Sequence, residues 1–330
     1  MRQTIFDFPS QFKVGYTAAG TAGKEYRERK FENIIIAGMG GSALPGELLK
    51  TVAGELGLKI PVTLHRDYKL PKDGSVREST LVIISSYSGT TEETLSAYEE
   101  ALKQNLAIIA ITNGGTLKTR AEEMNTPLAT VPEGIQPRLA MGYQFAALLA
   151  LLNNVGLVPS RKNEMAELEK SLNGTALEKA GKNLAQKIKN ATPLIYSSKK
   201  YGALSYILKI QMNENAKLHA FANTFPELNH NEMVAFGEEQ MTNGKSFSVL
   251  MLRGEDDDAR IQKRMGLTAE LIENKGYPVH TIDIEGQTIY NRVFNTILLG
   301  NWLSYYLAIN RNIDPTPVDI VEDFKKKLAS

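Results

Sequence analysis

The sequence predicts an α/β protein in which parallel sheets are covered by helices on both faces. Two observations carry this. Ile34-Ile35-Ile36-Ala37 and Leu81-Val82-Ile83-Ile84 are short apolar runs, and each breaks into small residues before an amphipathic helical pattern begins. A strand buried on both faces reads as such an unbroken run, and its hand-over to a helix is the repeating unit of a parallel sheet. Strand-like and helical stretches also alternate along the chain twice over, so two domains of the same kind are expected, over residues 1–157 and 158–330.

In order, residues 1–31 mix charge, glycine and aromatics and read as a lead-in. Strands are expected at Asn33–Ala37, Val62–His65, Leu81–Ser85, Leu106–Thr112 and Pro127–Val131. Helices fall between most of them, at Ser42–Ala53, Glu92–Leu102 and Leu117–Met124, and a long apolar helix over 138–156 closes the first domain. Residues 159–190 are charged and helical and read as a linker. The second alternation runs through a strand at Leu194–Ser197, a helix at Gly202–Ala216, a strand at Phe247–Leu252, a helix at Ala259–Asn274 and a strand at Val279–Ile284. Helices at about 287–309 and at Thr316–Leu328 end it. The halves share no residue-level repeat.

The chain of 330 residues is 42% apolar, enough for a sizeable core. Its 38 Lys+Arg nearly balance 37 Asp+Glu, which argues against a nucleic-acid or membrane-surface partner. With no cysteine, disulfides, thiolate catalysis and cysteine-held metals are excluded. There is no run of membrane-spanning length and no signal-peptide core after Met1, so a cytoplasmic protein is expected.

Two loops carry the candidate chemistry. Gly38-Met39-Gly40-Gly41-Ser42 and Ser86-Tyr87-Ser88-Gly89-Thr90-Thr91 each lie where a strand feeds a helix. There the free backbone N–H groups and the helix dipole favour an anion. Glycines let a phosphate approach the backbone, and hydroxyls add donors without charge. One loop alone is a weak signal; two on adjacent strands suggest one phosphate gripped from both. Gly38 to Ala43 also fits the dinucleotide pattern G-x-G-x-x-A, but the acidic residue that pattern requires is poorly matched by the distant Asp67.

These loops resemble the sugar-isomerase (SIS) domain. Gln136-Pro137-Arg138, Asn213-Glu214-Asn215-Ala216-Lys217 and Pro226-Glu227-Leu228-Asn229-His230-Asn231-Glu232 narrow the resemblance to the bifunctional phosphoglucose/phosphomannose isomerases, over essentially the whole chain as two SIS domains. The resemblance implies phosphate contacts from Gly41, Ser42, Ser86, Ser88 and Thr91. It implies a catalytic arginine at Arg138, an isomerisation base at Glu214 and a ring-opening histidine at His230. A lysine on the last helix, returning to the active site, matches Lys325 best, beside Lys326 and Lys327. It also implies a homodimer in which the histidine comes from the other subunit. Val318 stands where a polar residue is common, which leaves the choice between glucose and mannose epimers open.

The residues support the same chemistry on their own terms. Moving a proton between adjacent carbons needs a positioned carboxylate, and the developing enediolate needs a fixed cation. Ring opening needs a group that exchanges protons near neutrality, as histidine does. No metal or redox cofactor is required. Glu227 and Glu232 compete with Glu214 for the base, and Glu227 could instead position His230. Asp256-Asp257-Asp258 reads as a helix N-terminus rather than a metal loop. The expected function is interconversion of glucose 6-phosphate, and of mannose 6-phosphate, with fructose 6-phosphate. The alternatives are a non-catalytic sugar-phosphate-binding regulator and a nucleotide-dependent oxidoreductase.

Overall fold

A computed structural model describes residues 1–237 and 246–328. The chain packs as two units, one of Phe6–Leu172 and one of Asn173–Ser330 together with Met1–Ile5.

After α1 (Arg2–Phe6), the N-terminal unit holds α2 (Gln11–Ala18) and then a five-stranded parallel sheet. Its strands are β1 (Asn33–Gly38), β2 (Val62–His65), β3 (Thr80–Ser85), β4 (Ala107–Thr112) and β5 (Leu128–Thr130), in the order β2-β1-β3-β4-β5. The chain leaves β1 in one direction for β2 and returns on the other side for β3, so the strand order reverses between β1 and β3. Ligands of open parallel sheets sit at that reversal, beyond the carboxyl ends of the strands. The register sets Gly38 opposite Ser85, so the two glycine- and hydroxyl-rich loops leave the sheet side by side.

The helices are α3 (Leu44–Leu56), α4 (Glu92–Lys103), α5 (Gly115–Glu123), α6 (Met141–Val155) and α7 (Lys162–Ser171). On one side of the sheet Ile35, Val82, Ile84 and Ile108 pack with Tyr98 of α4 and Leu117 of α5. Almost every residue of α6 is buried, which explains why it reads as uniformly apolar rather than striped.

The C-terminal unit holds a four-stranded parallel sheet of β6 (Ala191–Ser198), β7 (Phe221–Phe225), β8 (Ser246–Gly254) and β9 (Val279–Ile284), ordered β7-β6-β8-β9. It repeats the first four positions of the other sheet, with β6 where β1 lies and β8 where β3 lies. Its helices are α8 (Gly174–Ile188), α9 (Gly202–Glu214), α10 (Ala259–Glu273), α11 (Ile289–Asn310) and α12 (Asp319–Leu328). α11 is its core helix, with Trp302 and Phe294 fully buried. Arg2 reaches this unit through an ion pair to Glu178 at 3.0 Å, and Tyr306 donates to the same carboxylate.

Two expectations differ from the structure. The stretch read as a linker is two packed helices: α7 buries Met165 and Leu168 in the N-terminal unit, and α8 buries Ala185 and Ile188 in the other. The N-terminal unit ends at Leu172, and the C-terminal unit takes up the chain at Asn173. The second is strand β7, which was not expected at all. It is an edge strand with Phe221 and Ala222 exposed, so it lacks both an apolar run and a clean alternation. Among the described residues no helix is long and apolar enough to cross a membrane.

Candidate active site

The first loop begins as a tight 3-10 turn, Gly40–Ala43, before α3 starts at Leu44. Ser42 is 6% exposed, and its Oγ accepts the Tyr87 backbone N–H at 2.8 Å. Its own O–H has no acceptor among the described residues, so Ser42 joins the two loops while keeping a donor to offer. Ser85 Oγ donates to the Ser42 carbonyl at 2.8 Å and lies 3.4 Å from the Gln144 amide oxygen. Gln144 is fully buried in apolar α6, where its Oε1 faces this strand end and its Nε2 has no hydrogen-bond partner among the described residues.

The second loop is braced from inside. Ser86 Oγ donates to Thr91 Oγ1 at 3.0 Å and accepts the Gly89 N–H at 3.1 Å. Ser86 is 1% exposed, so its hydroxyl holds the loop's shape. Ser88 is exposed, and its Oγ accepts from Thr90 Oγ1 at 3.2 Å. Thr91 is the N-cap of α4, yet its side chain makes no cap bond. The first N–H groups of that helix are thus left for another acceptor. Gly89 has φ +69°, and a Cβ there would overlap the Gly114 carbonyl. Only glycine fits where the loop runs against the β4–α5 turn. Tyr87 anchors the far side by donating its hydroxyl to the Pro132 carbonyl at 2.7 Å.

Arg138 belongs to this same cluster. It lies in a 3-10 turn, Pro137–Leu139, directly before α6, and is 3% exposed. Its guanidinium donates to Gln136 Oε1 at 3.3 Å. The turn is seated on the first loop: a Cβ on Gly41 would lie 2.7 Å from the Arg138 backbone nitrogen. The N-terminal unit thus brings together Gly41, Ser42, Ser86, Ser88, Thr91 and Arg138. A cavity of about 740 Å³ opens at the ends of β4 and β5, lined by Lys13, Asn113, Thr130 and Glu133.

Glu214, His230 and Lys325 lie in the C-terminal unit. Glu214 is the last residue of α9 and is half-buried. Its turn is pinned from several sides. Asn215, fully buried, donates to Ser304 Oγ of α11 at 3.0 Å. Asn213 donates to the Leu218 carbonyl at 2.8 Å, and Arg311 to the Ala216 carbonyl at 2.9 Å. Lys217, with φ +53°, donates its ammonium to the carbonyls of Glu214 and of Pro317, just ahead of α12. The polar run that follows α9 is therefore a set of clamps that fixes a helix end.

His230 is exposed, at the end of a 3-10 turn (Glu227–His230) that follows edge strand β7. Glu227 does not hold it. That carboxylate accepts from Asn231 Nδ2 at 2.7 Å. Glu232, the other competing carboxylate, accepts from the Tyr196 hydroxyl at 2.6 Å and from Asn223. Burial, and then the Glu232 carboxylate, hold the Tyr196 phenol well above its ordinary range, so it stays a donor. Both residues line a separate cavity of about 590 Å³ with Phe221, Phe236 and Tyr277. Lys325 is exposed and donates to Glu322 one turn earlier, at 2.8 Å. Asp258 caps α10 by accepting the Arg260 N–H, as the helix-start reading expects.

Sequence reasoning missed Ser85 and Gln144. The signal was present for Gln144, a lone amide inside an otherwise apolar helix, which burial disfavours unless it has a partner.

Comparison with known proteins matches the two parts of the chain to two family models. Residues 27–153 match the family model of the SIS domain, and residues 177–328 that of the bacterial phospho-glucose isomerase C-terminal SIS domain. The bifunctional phosphoglucose/phosphomannose isomerase of Caldicellulosiruptor bescii is 37% identical, across 100% of this chain and 99% of its own. The D-glucosamine-6-phosphate 4-epimerase of Sulfolobus acidocaldarius is 31% identical, across 90% of this chain and 89% of its own. Among solved structures, the C-terminal domain of the Francisella tularensis glucosamine-fructose-6-phosphate aminotransferase superposes with a TM-score of 0.69 at 16% identity. That match covers 95% of this chain and 96% of the other, and it shows the shared fold.

Proposed function

The chain belongs to the family of the bifunctional phosphoglucose/phosphomannose isomerases, and from that premise we propose that it interconverts glucose 6-phosphate and mannose 6-phosphate with fructose 6-phosphate. The observation that carries the proposal is the pair of loops at the β1/β3 reversal, joined by Ser42 and seated against the Arg138 turn. The phosphate is held by donors from Gly41, Ser42, Ser88 and Thr91, with Ser86 bracing the loop. Glu214 moves the proton between C1 and C2. Arg138 steadies the enediolate, the task that a Lewis acid performs in metal-dependent isomerases. His230 and Lys325 open the ring. The exposure of His230 beside an edge strand suits a cytoplasmic homodimer in which each histidine serves the other subunit's site.

The test is formation of fructose 6-phosphate from each aldose, measured in separate assays with a chelator present. Turnover of both is expected, undiminished by the chelator. Because a relative of similar identity is an epimerase, glucosamine 6-phosphate is assayed in parallel for inversion at C4. Inversion without any aldose–ketose conversion would overturn the proposal.

A further inference from the structure

We propose that Gln11, in the lead-in ahead of the first sheet, is a positioning residue for Arg138. The inference rests on the isomerase reading of Arg138 and names the group that holds it in place.

α6 begins immediately after the Arg138 turn, and its N-cap, Ala140, has no side chain that can cap a helix. Its first N–H groups still need acceptors, because the site is buried. Gln11 supplies one from the first residue of α2. Its Oε1 accepts the Gly142 N–H at 3.1 Å, with the Tyr143 N–H at 3.4 Å. Its Nε2 donates at 2.8 Å to the carbonyl of Leu139, the residue that follows Arg138. One amide therefore bridges the carbonyl that ends the Arg138 turn and the N–H that begins the helix. A carboxylate could not donate, and an ammonium could not accept.

The packing around this bridge leaves little freedom. Gln11 is 2% exposed. A Cβ on Gly142 would fall 2.8 Å from the Gln11 Cβ and 2.9 Å from its Oε1, so the helices meet closely only because Gly142 has no side chain. On its other side the Arg138 turn abuts Gly41. Arg138 is thus held between the phosphate loop and the Gln11 amide. A polar side chain buried this deeply, with both ends of its amide used on the same turn, fixes where that turn sits.

The experiment compares Gln11→Met, Arg138→Ala and the double variant in the full-length protein. It measures aldose–ketose kinetics, inhibition by inorganic phosphate and melting temperature. Gln11→Met is expected to lower kcat by about tenfold to a hundredfold, the scale on which displacing a catalytic group by an ångström acts. The inhibition constant for inorganic phosphate should stay within about twofold, because the loop donors are untouched. In the Arg138→Ala background, Gln11→Met should cost no further kcat, since the group it positions is gone.

Full kcat in Gln11→Met with a lowered melting temperature marks a structural role alone and overturns the proposal. Independent, multiplying losses in the double variant overturn it too. Full kcat in Arg138→Ala removes the reading of Arg138 and this inference with it, so the two failures are distinguishable. If Gln11→Met does not fold, Gln11→Glu keeps the acceptor and loses the Leu139 bond. Its kcat should fall while phosphate inhibition holds, and an unchanged kcat there also overturns the proposal.

Discussion

The two units place the same topological position to opposite uses. β1 and β3 in one sheet correspond to β6 and β8 in the other. After β1 and β3 the chain presents glycines and neutral hydroxyls. Ser42 bridges the loops, and the α4 N-cap makes no side-chain bond. After β6 the corresponding turn closes on itself, with Ser198 Oγ accepting the Tyr201 N–H. After β8 the protein brings its own anion. The Asp256 carboxylate accepts from the Tyr201 hydroxyl at 2.8 Å and pairs with Lys200 at 2.9 Å and Arg292 at 3.2 Å. Whether the carboxyl ends of a parallel sheet offer donors to an anion is therefore a property of the residues placed there, because the topology supplies the place in both units.

If binding and chemistry divide as proposed, the largest effect should come from a residue outside the phosphate loops. Glu214→Gln keeps shape but removes the basic lone pair. It should lower kcat by about 10²–10⁴, the usual worth of a positioned base. Solvent exchange of the transferred proton should fall in parallel, while affinity for inorganic phosphate stays intact. The variant should still speed anomerisation of the bound sugar, since ring opening is assigned to His230. If Glu227→Gln or Glu232→Gln abolishes exchange and Glu214→Gln does not, the wrong carboxylate has been named.

The hydroxyl loops should respond differently, through KM. A hydrogen bond to a charged phosphate contributes roughly 1–3 kcal/mol, so Ser42→Ala or Ser88→Ala should raise KM by about fivefold to a hundredfold or more. Both should leave kcat nearly unchanged, since the phosphate is remote from the reacting carbons. Stability separates them. Ser42→Ala orphans the buried Tyr87 N–H and should lower the melting temperature. Ser88 is exposed and joins no other loop, so Ser88→Ala should melt as the wild type does. An unchanged KM in Ser88→Ala would remove it from the site.

How much of this was legible in the sequence follows from what each feature depends on. The apolar runs of β1, β3 and β4 depend on burial on both faces, which a local window records. The glycine- and hydroxyl-rich loops depend on small residues within a few positions of a strand end. By contrast, β7 owes its existence to pairing with β6, and FANTF carries no pattern of its own. The 3-10 turn that delays α3 to Leu44 is set by contact with the Arg138 turn, far along the chain. Gln11 could not be found among residues 1–31, because its partners lie at Leu139 and Gly142. The closed anion site was equally hidden, since Lys200, Asp256 and Arg292 meet only in the fold.

Opening that closed site would test the comparison directly. Asp256→Ala removes the carboxylate that Lys200 and Arg292 share and leaves Arg292 only its pair with the exposed Glu255 at 3.2 Å, so room for an external anion opens between the two cations. The loss in stability should be modest, roughly 1 kcal/mol, because these groups are partly solvated and screened. The telling measurement is the shift in melting temperature with inorganic phosphate. Phosphate should stabilise Asp256→Ala more than it stabilises the wild type, and high sodium chloride should erase the difference. Equal stabilisation of the two proteins would mean that the cluster is an ordinary ion pair and not a filled anion site.

The smallest effect expected is in acid. Burial raises the Asp256 carboxyl pKa, but hydrogen bonds from Lys200 and Tyr201 and the nearby Arg292 guanidinium outweigh it, leaving the group below its ordinary 3.8. The unfolded chain keeps the ordinary value. The pairing thus contributes stability in full above that value, and the contribution is lost as pH falls through the lower, folded-state pKa. Burial and the Asp256 carboxylate hold the Tyr201 phenol well above its ordinary range, so it remains a donor throughout. The difference in urea stability between wild type and Asp256→Asn should be flat above about pH 5 and should shrink below the ordinary carboxylate range. The open site contains no titrating group among Gly41, Ser42, Ser88 and Thr91. The ligand-free difference between wild type and Ser42→Ala should accordingly stay level across the same pH range. A Ser42→Ala difference that shrinks in step with Asp256→Asn would mean that acid acts on the whole molecule rather than on the filled site, and the contrast between the two strand ends would lose its electrostatic basis.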